Sequence, residues 1–308
     1  MLMTDMTDAT QFIIPRGFRF AAAKAGLKQS GRTDFALIVA DAPASAAAVF
    51  TSNRVIAAPL IVDKEHLRST AGKVRVVAIN AGNANCAAGQ PGLDAARATC
   101  AAAAQLFGCR AEEVFPSSTG IIGVPLPAEK LIAALPGLAS SLGAESDHFQ
   151  QVAQAIMTTD LVEKTAFARL EVVSPEGDRR EIRIAALGKG SGMIHPQLVP
   201  HATMLVYVLT DAAVEPAVLD TYLQKAIEVS FNRISVDGDT STNDTVLALA
   251  SGAAGGPVIS NPRSKEAGEL EAALTALCQV RVCVGGTSSS TTCVSARLPS
   301  PPESTRQC

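Results

Sequence analysis

Apolar positions along the chain fall into two kinds of run. Short runs rich in β-branched residues, bounded by polar or turn residues, occur at 35–40, 74–80 and 204–209 and predict buried strands. Alanine-rich or amphipathic runs at 93–106, 149–157 and 217–228 predict helices, and a further helix is expected at 265–278 after the Gly255-Gly256-Pro257 loop. Residues 167–173 and 181–186 alternate on either side of the polar stretch Ser174-Pro175-Glu176-Gly177-Asp178, which predicts a hairpin. Strands and helices follow one another irregularly, so the expected fold class is α/β with mixed α+β layers and not a doubly wound parallel sheet. From about Val280 the pattern changes to Ser, Thr, Gly and Pro without a helical period, which predicts a disordered tail over 280–308.

Composition narrows the ligand class more than the fold. The 308 residues, 47% hydrophobic and 18% charged, describe a globular chain with enough apolar surface for one large or two modest cores. A net charge of -3 carries no electrostatic footprint for nucleic acid or an anionic membrane, and no apolar run is long enough to span a bilayer. Small molecules are therefore the expected ligands. The first ten residues hold two aspartates ahead of any basic residue, unlike an export signal. Seven cysteines without a C-x-x-C pair fit a reducing cytoplasm, and four histidines without metal-ligand spacing predict no zinc or iron site.

Five polar segments carry candidate chemistry. Pro116-Ser117-Ser118-Thr119-Gly120-Ile121-Ile122-Gly123 reads as a polar turn in which Gly120 could approach a ligand and aim backbone N–H groups at an oxyanion; an ordinary strand-to-turn junction fits equally. Met157-Thr158-Thr159-Asp160 follows a helical run, where capping is the commoner role for such residues. Gly188-Lys189-Gly190-Ser191-Gly192 lacks the spacing of a phosphate loop. The run from Asp237 to Asp244 fails as a calcium loop, with Thr242 where glycine and Ala248 where glutamate is needed, and reads as a hydrogen-bonding network or an Asx-turn cluster. Asn80-Ala81-Gly82-Asn83-Ala84-Asn85 is a polar loop after a strand.

Together with Met193-Ile194-His195-Pro196 and Ala202-Thr203-Met204-Leu205, these segments resemble, in order, those of the ornithine acetyltransferase (ArgJ) family, from about Gly17 to Gln279. The resemblance implies an ArgJ/DmpA-like N-terminal-nucleophile fold that cleaves itself between Ala202 and Thr203, giving an α region, 1–202, and a β region, 203–279. Thr203 would be the nucleophile, activated by its own freed α-amine. Thr119 and Gly120 would form the oxyanion hole, and Thr158, Lys189 and Thr203 would contact substrate. The implied reaction moves acetyl from N2-acetyl-L-ornithine to L-glutamate in arginine biosynthesis, with no metal and no organic cofactor. Acetyl-CoA serves some members as a substrate, and the processed form is expected to be a cytoplasmic heterotetramer of two α and two β chains.

Two departures accompany the likeness. Five residues, Gln197-Leu198-Val199-Pro200-His201, separate the two motifs where the family has two, and the family's C-terminal segments, one containing tryptophan, are absent from this tryptophan-free chain. The C-terminal part is thus expected to be missing. A catalytically silent truncated member, or an N-terminal-nucleophile amidase or aminopeptidase, fits the same residues.

Overall fold

The computed structural model describes residues 12–173, 179–193, 204–235 and 237–283. Their eight strands form one mixed sheet, in the order β4-β3-β2-β8-β7-β6-β5, with β1 also paired to β2. The strands are β1 (Phe18–Ala23), β2 (Phe35–Phe50), β3 (Lys73–Asn83), β4 (Val114–Ile121), β5 (Lys164–Val173), β6 (Arg179–Lys189), β7 (Leu205–Thr210) and β8 (Thr245–Ala250). Only β3–β4 and β7–β8 are parallel among these pairs, which matches the expected mixed class.

The sheet is organised by β2. Its register against β3 shifts between Val39 and Ala44, where Asp41, Ala42 and Pro43 are exposed, so a bulge bends the strand there. Before the bulge one edge of β2 pairs with β1; after it, from Ser45 to Phe50, with β8. One strand thereby joins two half-sheets. Its first six residues are all buried, as expected of a continuous apolar run covered on both faces.

Three apolar clusters give the layering. Helices α5 (Pro216–Glu228) and α6 (Lys265–Cys283) cover one outer face with Leu219, Tyr222, Leu270 and Leu274 against Ile184, Val206 and Val246. Helices α2 (Gln90–Phe107) and α3 (Ala128–Ser140) cover the other, with Cys100, Ala103 and Leu135 against Leu37 and Val76. Between them an inner cluster draws on both half-sheets, Ile38 and Phe115 from one, Leu187, Tyr207 and Leu247 from the other. Helices α1 (Ala58–Ser69) and α4 (Ser146–Ala155) contribute Leu60, Phe149 and Val152 to it.

The strands expected at 35–40, 74–80 and 204–209 lie in β2, β3 and β7, and residues 167–173 and 181–186 pair antiparallel as β5 and β6; the turn between them lies outside the described residues. Helix α6 runs on to Cys283, so the tail boundary read at Val280 falls inside a helix. Residues 284–308 are outside the described residues. β7, from the expected β region, sits between β6 of the α region and β8, so the two regions interleave in one sheet. No helix among the described residues is long and apolar enough to cross a membrane.

Candidate active site

The segment around Thr119 is strand and not turn: β4 continues through Ser117, Ser118 and Thr119, all buried, and bends only after Ile121. The reason is a close approach to β3. Gly120 (φ +135°) faces Gly82 (φ +113°) across the parallel ladder, and a Cβ on Gly120 would stand 2.3 Å from the Gly82 carbonyl carbon. Only glycine tolerates that contact, so the chain ends β4 with Thr119 against the sheet and Gly120 bare.

Lys189 ends β6 with only 7% of its surface exposed, and its ammonium donates to Thr119 Oγ1 at 2.9 Å. Two of the expected site residues, 70 positions apart, thus touch directly. Burial pushes the Lys189 pKa down, while the Asp160 and Asp244 carboxyls pull it back up.

The loop after α4 comes to the same place through Asp160, whose importance the motif alone did not reveal. Its carboxylate accepts the Gly190 N–H at 2.8 Å, the Lys164 ammonium, and the Thr158 N–H at 3.3 Å. Burial opposes its charge, but the hydrogen bonds from Lys164 and Gly190 prevail and hold its pKa below the usual range. Thr158 is half-buried; Thr159, exposed, shares a 2.7 Å hydrogen bond with Ser191. The chain spacing of Asp160 and Lys164, four residues apart, was the one available hint of this anchor.

Ala202 and Thr203 lie outside the described residues, as do His195, Pro196 and residues 197–201. Met204, the next residue, is described: its carbonyl accepts the Thr245 N–H at 2.8 Å, and its N–H lies by the Asp244 carboxyl and favours the charged form. Asp244 is 1% exposed, and one oxygen, Oδ2, has no hydrogen-bond partner. Burial pushes its pKa well above the ordinary value despite the neighbouring Lys189 charge.

Side chains of the run before β8 do form a hydrogen-bonding network. Asn243 Nδ2 donates to Ala84 O at 2.6 Å and Ser118 O at 2.9 Å, while its Oδ1 accepts from Thr242 Oγ1 at 2.6 Å. Ser118 Oγ donates to Asn80 Oδ1 at 2.6 Å, and Asn80 Nδ2 returns to Asn83 O at 2.8 Å. The polar loops after β3 and before β8 are thereby tied to the backbone of β4. Asp237, in the left-handed region at φ +69°, accepts the Met193 N–H at 2.7 Å and anchors the chain just beyond Lys189.

A further segment went unread in the sequence. The Asp34 carboxylate takes the N–H groups of Ala25 and Leu27 at 2.6 Å and of Lys28 at 2.8 Å, folding a tight loop whose Leu27 lies on Gly82. Lys28 donates to Thr33 O and Ala155 O at 2.8 Å, and burial, then repulsion from Arg32, lowers its pKa to about 8. An open cavity of about 840 Å³ lies beside this loop, lined by Lys24, Arg32, Gln154, Met157 and Leu161. No cluster of three or more metal-ligating side chains occurs among the described residues.

A mixed sheet with helices on its outer faces is the layering expected of the N-terminal-nucleophile fold. The chain belongs to the ArgJ family, whose profile matches residues 19–282. It is 47% identical over 245 residues to the arginine biosynthesis bifunctional protein ArgJ of Geobacter sulfurreducens, covering 80% of this chain and 59% of that one. Its counterpart in Thermosynechococcus vestitus is 45% identical over 263 residues, 85% of this chain and 60% of the relative. The chain therefore spans about 60% of the length of the curated relatives it matches. Among solved structures, ArgJ from Bacillus halodurans superposes with a TM-score of 0.55 at 34% identity, over 60% of this chain and 92% of that one. An ornithine-bound ornithine acetyltransferase from Mycobacterium tuberculosis gives 0.51 at 32%, over 60% and 93%.

Proposed function

We propose that the chain carries the nucleophile and oxyanion parts of a glutamate N-acetyltransferase that transfers the acetyl group of N2-acetyl-L-ornithine to L-glutamate in arginine biosynthesis. The observation that carries the reading is the buried Lys189–Thr119 contact beside Met204, one peptide bond from Thr203. Family membership and the ornithine in the mycobacterial relative support the substrate class.

Maturation begins when Thr203 Oγ attacks the Ala202 carbonyl carbon. The peptide C–N bond breaks, the Thr203 nitrogen takes up a proton, and water hydrolyses the resulting ester. In turnover the freed α-amine, which titrates near pH ~8, accepts the Thr203 hydroxyl proton. The hydroxyl attacks the acetyl carbonyl, ornithine leaves with its α-nitrogen protonated, and the glutamate amine then takes the acetyl group from the threonine ester. Thr119 and Gly120 stabilise the oxyanion of each tetrahedral intermediate, at roughly 3 kcal/mol per donor. Lys189, a compact cation in a dry site, holds the substrate carboxylate, and Thr158 contacts substrate from the Asp160-anchored loop. The reaction needs no metal or organic cofactor; acetyl-CoA is an alternative donor. The processed protein works as a cytoplasmic heterotetramer of two α and two β chains.

Intact mass tests the maturation step directly. The expected result is two fragments in place of 31.7 kDa, with Thr203→Ala remaining whole. A wild-type chain that stays at full mass and transfers no acetyl group would assign it instead to the silent class.

A further inference from the structure

Lys28 stands between two polar segments of the candidate site and bonds to both. Its ammonium donates to Thr33 O in its own loop and to Ala155 O, the last residue of α4, each at 2.8 Å. One side chain thereby joins segments 127 positions apart.

On its own side the loop is firmly held. The Asp34 carboxylate gathers the N–H groups of Ala25, Leu27 and Lys28, and Asp34 O accepts the Ala81 N–H at 2.8 Å, which fastens the loop to β3 one residue before Gly82. A Cβ on Gly82 would stand 3.2 Å from the Leu27 carbonyl carbon, so the loop backs the glycine that faces Gly120. On the other side, Ala155 O ends a helix, where carbonyls have no partner within the helix. Three residues on is Thr158, whose N–H goes to Asp160, and Asp160 also accepts the Gly190 N–H next to Lys189. A short path therefore runs from the Gly82–Gly120 pair through Lys28 to Thr158 and Lys189.

Capping α4 does not by itself call for this arrangement. An exposed basic residue favours a helix C-terminus without leaving water. Lys28 is instead half-buried, and burial, then repulsion from Arg32, with a smaller push from Lys189, lower its pKa to about 8 against the pull of Asp34 and Asp160. Holding a cation out of water among like charges costs stability, and such perturbed groups cluster at functional sites.

We propose that Lys28 is a positioning residue of the candidate site, which sets the separation between the Gly120 end of β4 and the Thr158 loop. It acts through Ala155 and Thr33 and not on substrate. The assignment rests on the acetyl-transfer reading above, in which Thr158 contacts substrate and Gly120 serves the oxyanion. Of the two sides the Thr158 loop is the movable one, because Gly120 is also held by its ladder with β3.

Steady-state kinetics of acetyl transfer from N2-acetyl-L-ornithine to glutamate separates positioning from general stability. In Lys28→Met the KM for acetylornithine should rise about tenfold while kcat stays within about threefold of wild type, and Lys28→Arg, which keeps the charge and the donors, should recover most of the loss. A kcat that falls with the folded fraction at unchanged KM, or an arginine variant no better than the methionine one, would overturn the proposal. Hydrogen exchange of the same proteins needs no turnover: the Thr158 and Gly190 amides should exchange about tenfold faster in Lys28→Met, with α5 and α6 unchanged. Unaltered exchange at Thr158 and Gly190 would also overturn it. A wild type that transfers no acetyl group would instead strike the reading above, and exchange alone would then decide the role of Lys28. If the methionine variant does not fold, Lys28→Gln, which keeps a donor without the charge, is measured in its place against the same outcomes.

Discussion

Asp160 and Asp244 both lie close to the buried Lys189 cation, yet the regions that carry them treat their carboxyls oppositely. Asp160 is held by the Lys164 ammonium and the Gly190 and Thr158 N–H groups, and its pKa falls even though burial pushes the other way. Asp244 has the Met204 N–H and Ser241 but keeps one oxygen unpaired, and burial drives its pKa up. Proximity to the shared cation therefore does not set the charge; the supply of donors does. The outcome divides labour. Asp160 is a fixed anchor for the loop of Thr158, whereas Asp244 is a carboxyl whose pKa burial raises, beside the strand that follows Thr203.

Removing the anchor should have the largest effect. Asp160→Ala leaves a partly buried ammonium and a backbone N–H without their acceptor, and we expect a loss of about 3 kcal/mol in chemical denaturation; a loss under about 1 kcal/mol would mean that water replaces the carboxylate freely. Asp244→Asn should go the other way. Between the ordinary carboxyl pKa and the raised folded value, the native state retains a proton that the unfolded chain has released, so this group makes stability fall as pH rises. The asparagine variant should gain about 1 kcal/mol at pH 7 relative to wild type, with the gain vanishing toward pH ~4. For Asp160 the sign is reversed: its stabilisation is present above the unfolded value and is lost as pH falls through the lowered folded value.

Lys189→Met sharpens the contrast with little cost in stability. Carboxyl carbon NMR should find Asp244 titrating still higher, while Asp160, with its own donors intact, stays low; equal upward movement of both would return control to the cation. The smallest effect is expected from Ser191→Ala, which removes one exposed hydrogen bond to Thr159 and should cost about 0.5 kcal/mol.

Much of this arrangement was readable before the fold was known, and the gaps have physical causes. β2, β3 and β7 announced themselves because their runs are apolar and covered on both faces. β4 did not, because Ser117, Ser118 and Thr119 are polar residues buried to serve Asn80, Asn243 and Lys189. α1 hides its period behind the buried Asp63 and His66, and α3 carries Pro136 inside it. β1 (Phe-Arg-Phe-Ala-Ala-Ala) and β8 (Thr-Val-Leu-Ala-Leu-Ala) are rich in alanine, which favours helix over strand, and did not stand out. Thr119, Gly120, Thr158 and Lys189 could be named only through the family likeness, since each has an ordinary local explanation. The partners that organise them, Asp160 with Gly190 and Asn243 with Ser118, are non-local, and no spacing rule reports such a contact.

The bulged strand β2 joins two half-sheets, and the candidate site is assembled across them: Lys189 reaches Thr119 over 70 positions, and Asn243 reaches Ser118 over 125. In kinetic terms, closing such loops comes late, because their entropy is spent before the contacts return it. The half-sheets can collapse first on their own apolar faces. A folding chain would thus pass through a stage in which the strands exist but the threonine and lysine have not met, and the self-cleavage proposed above would have to wait for these last tertiary contacts.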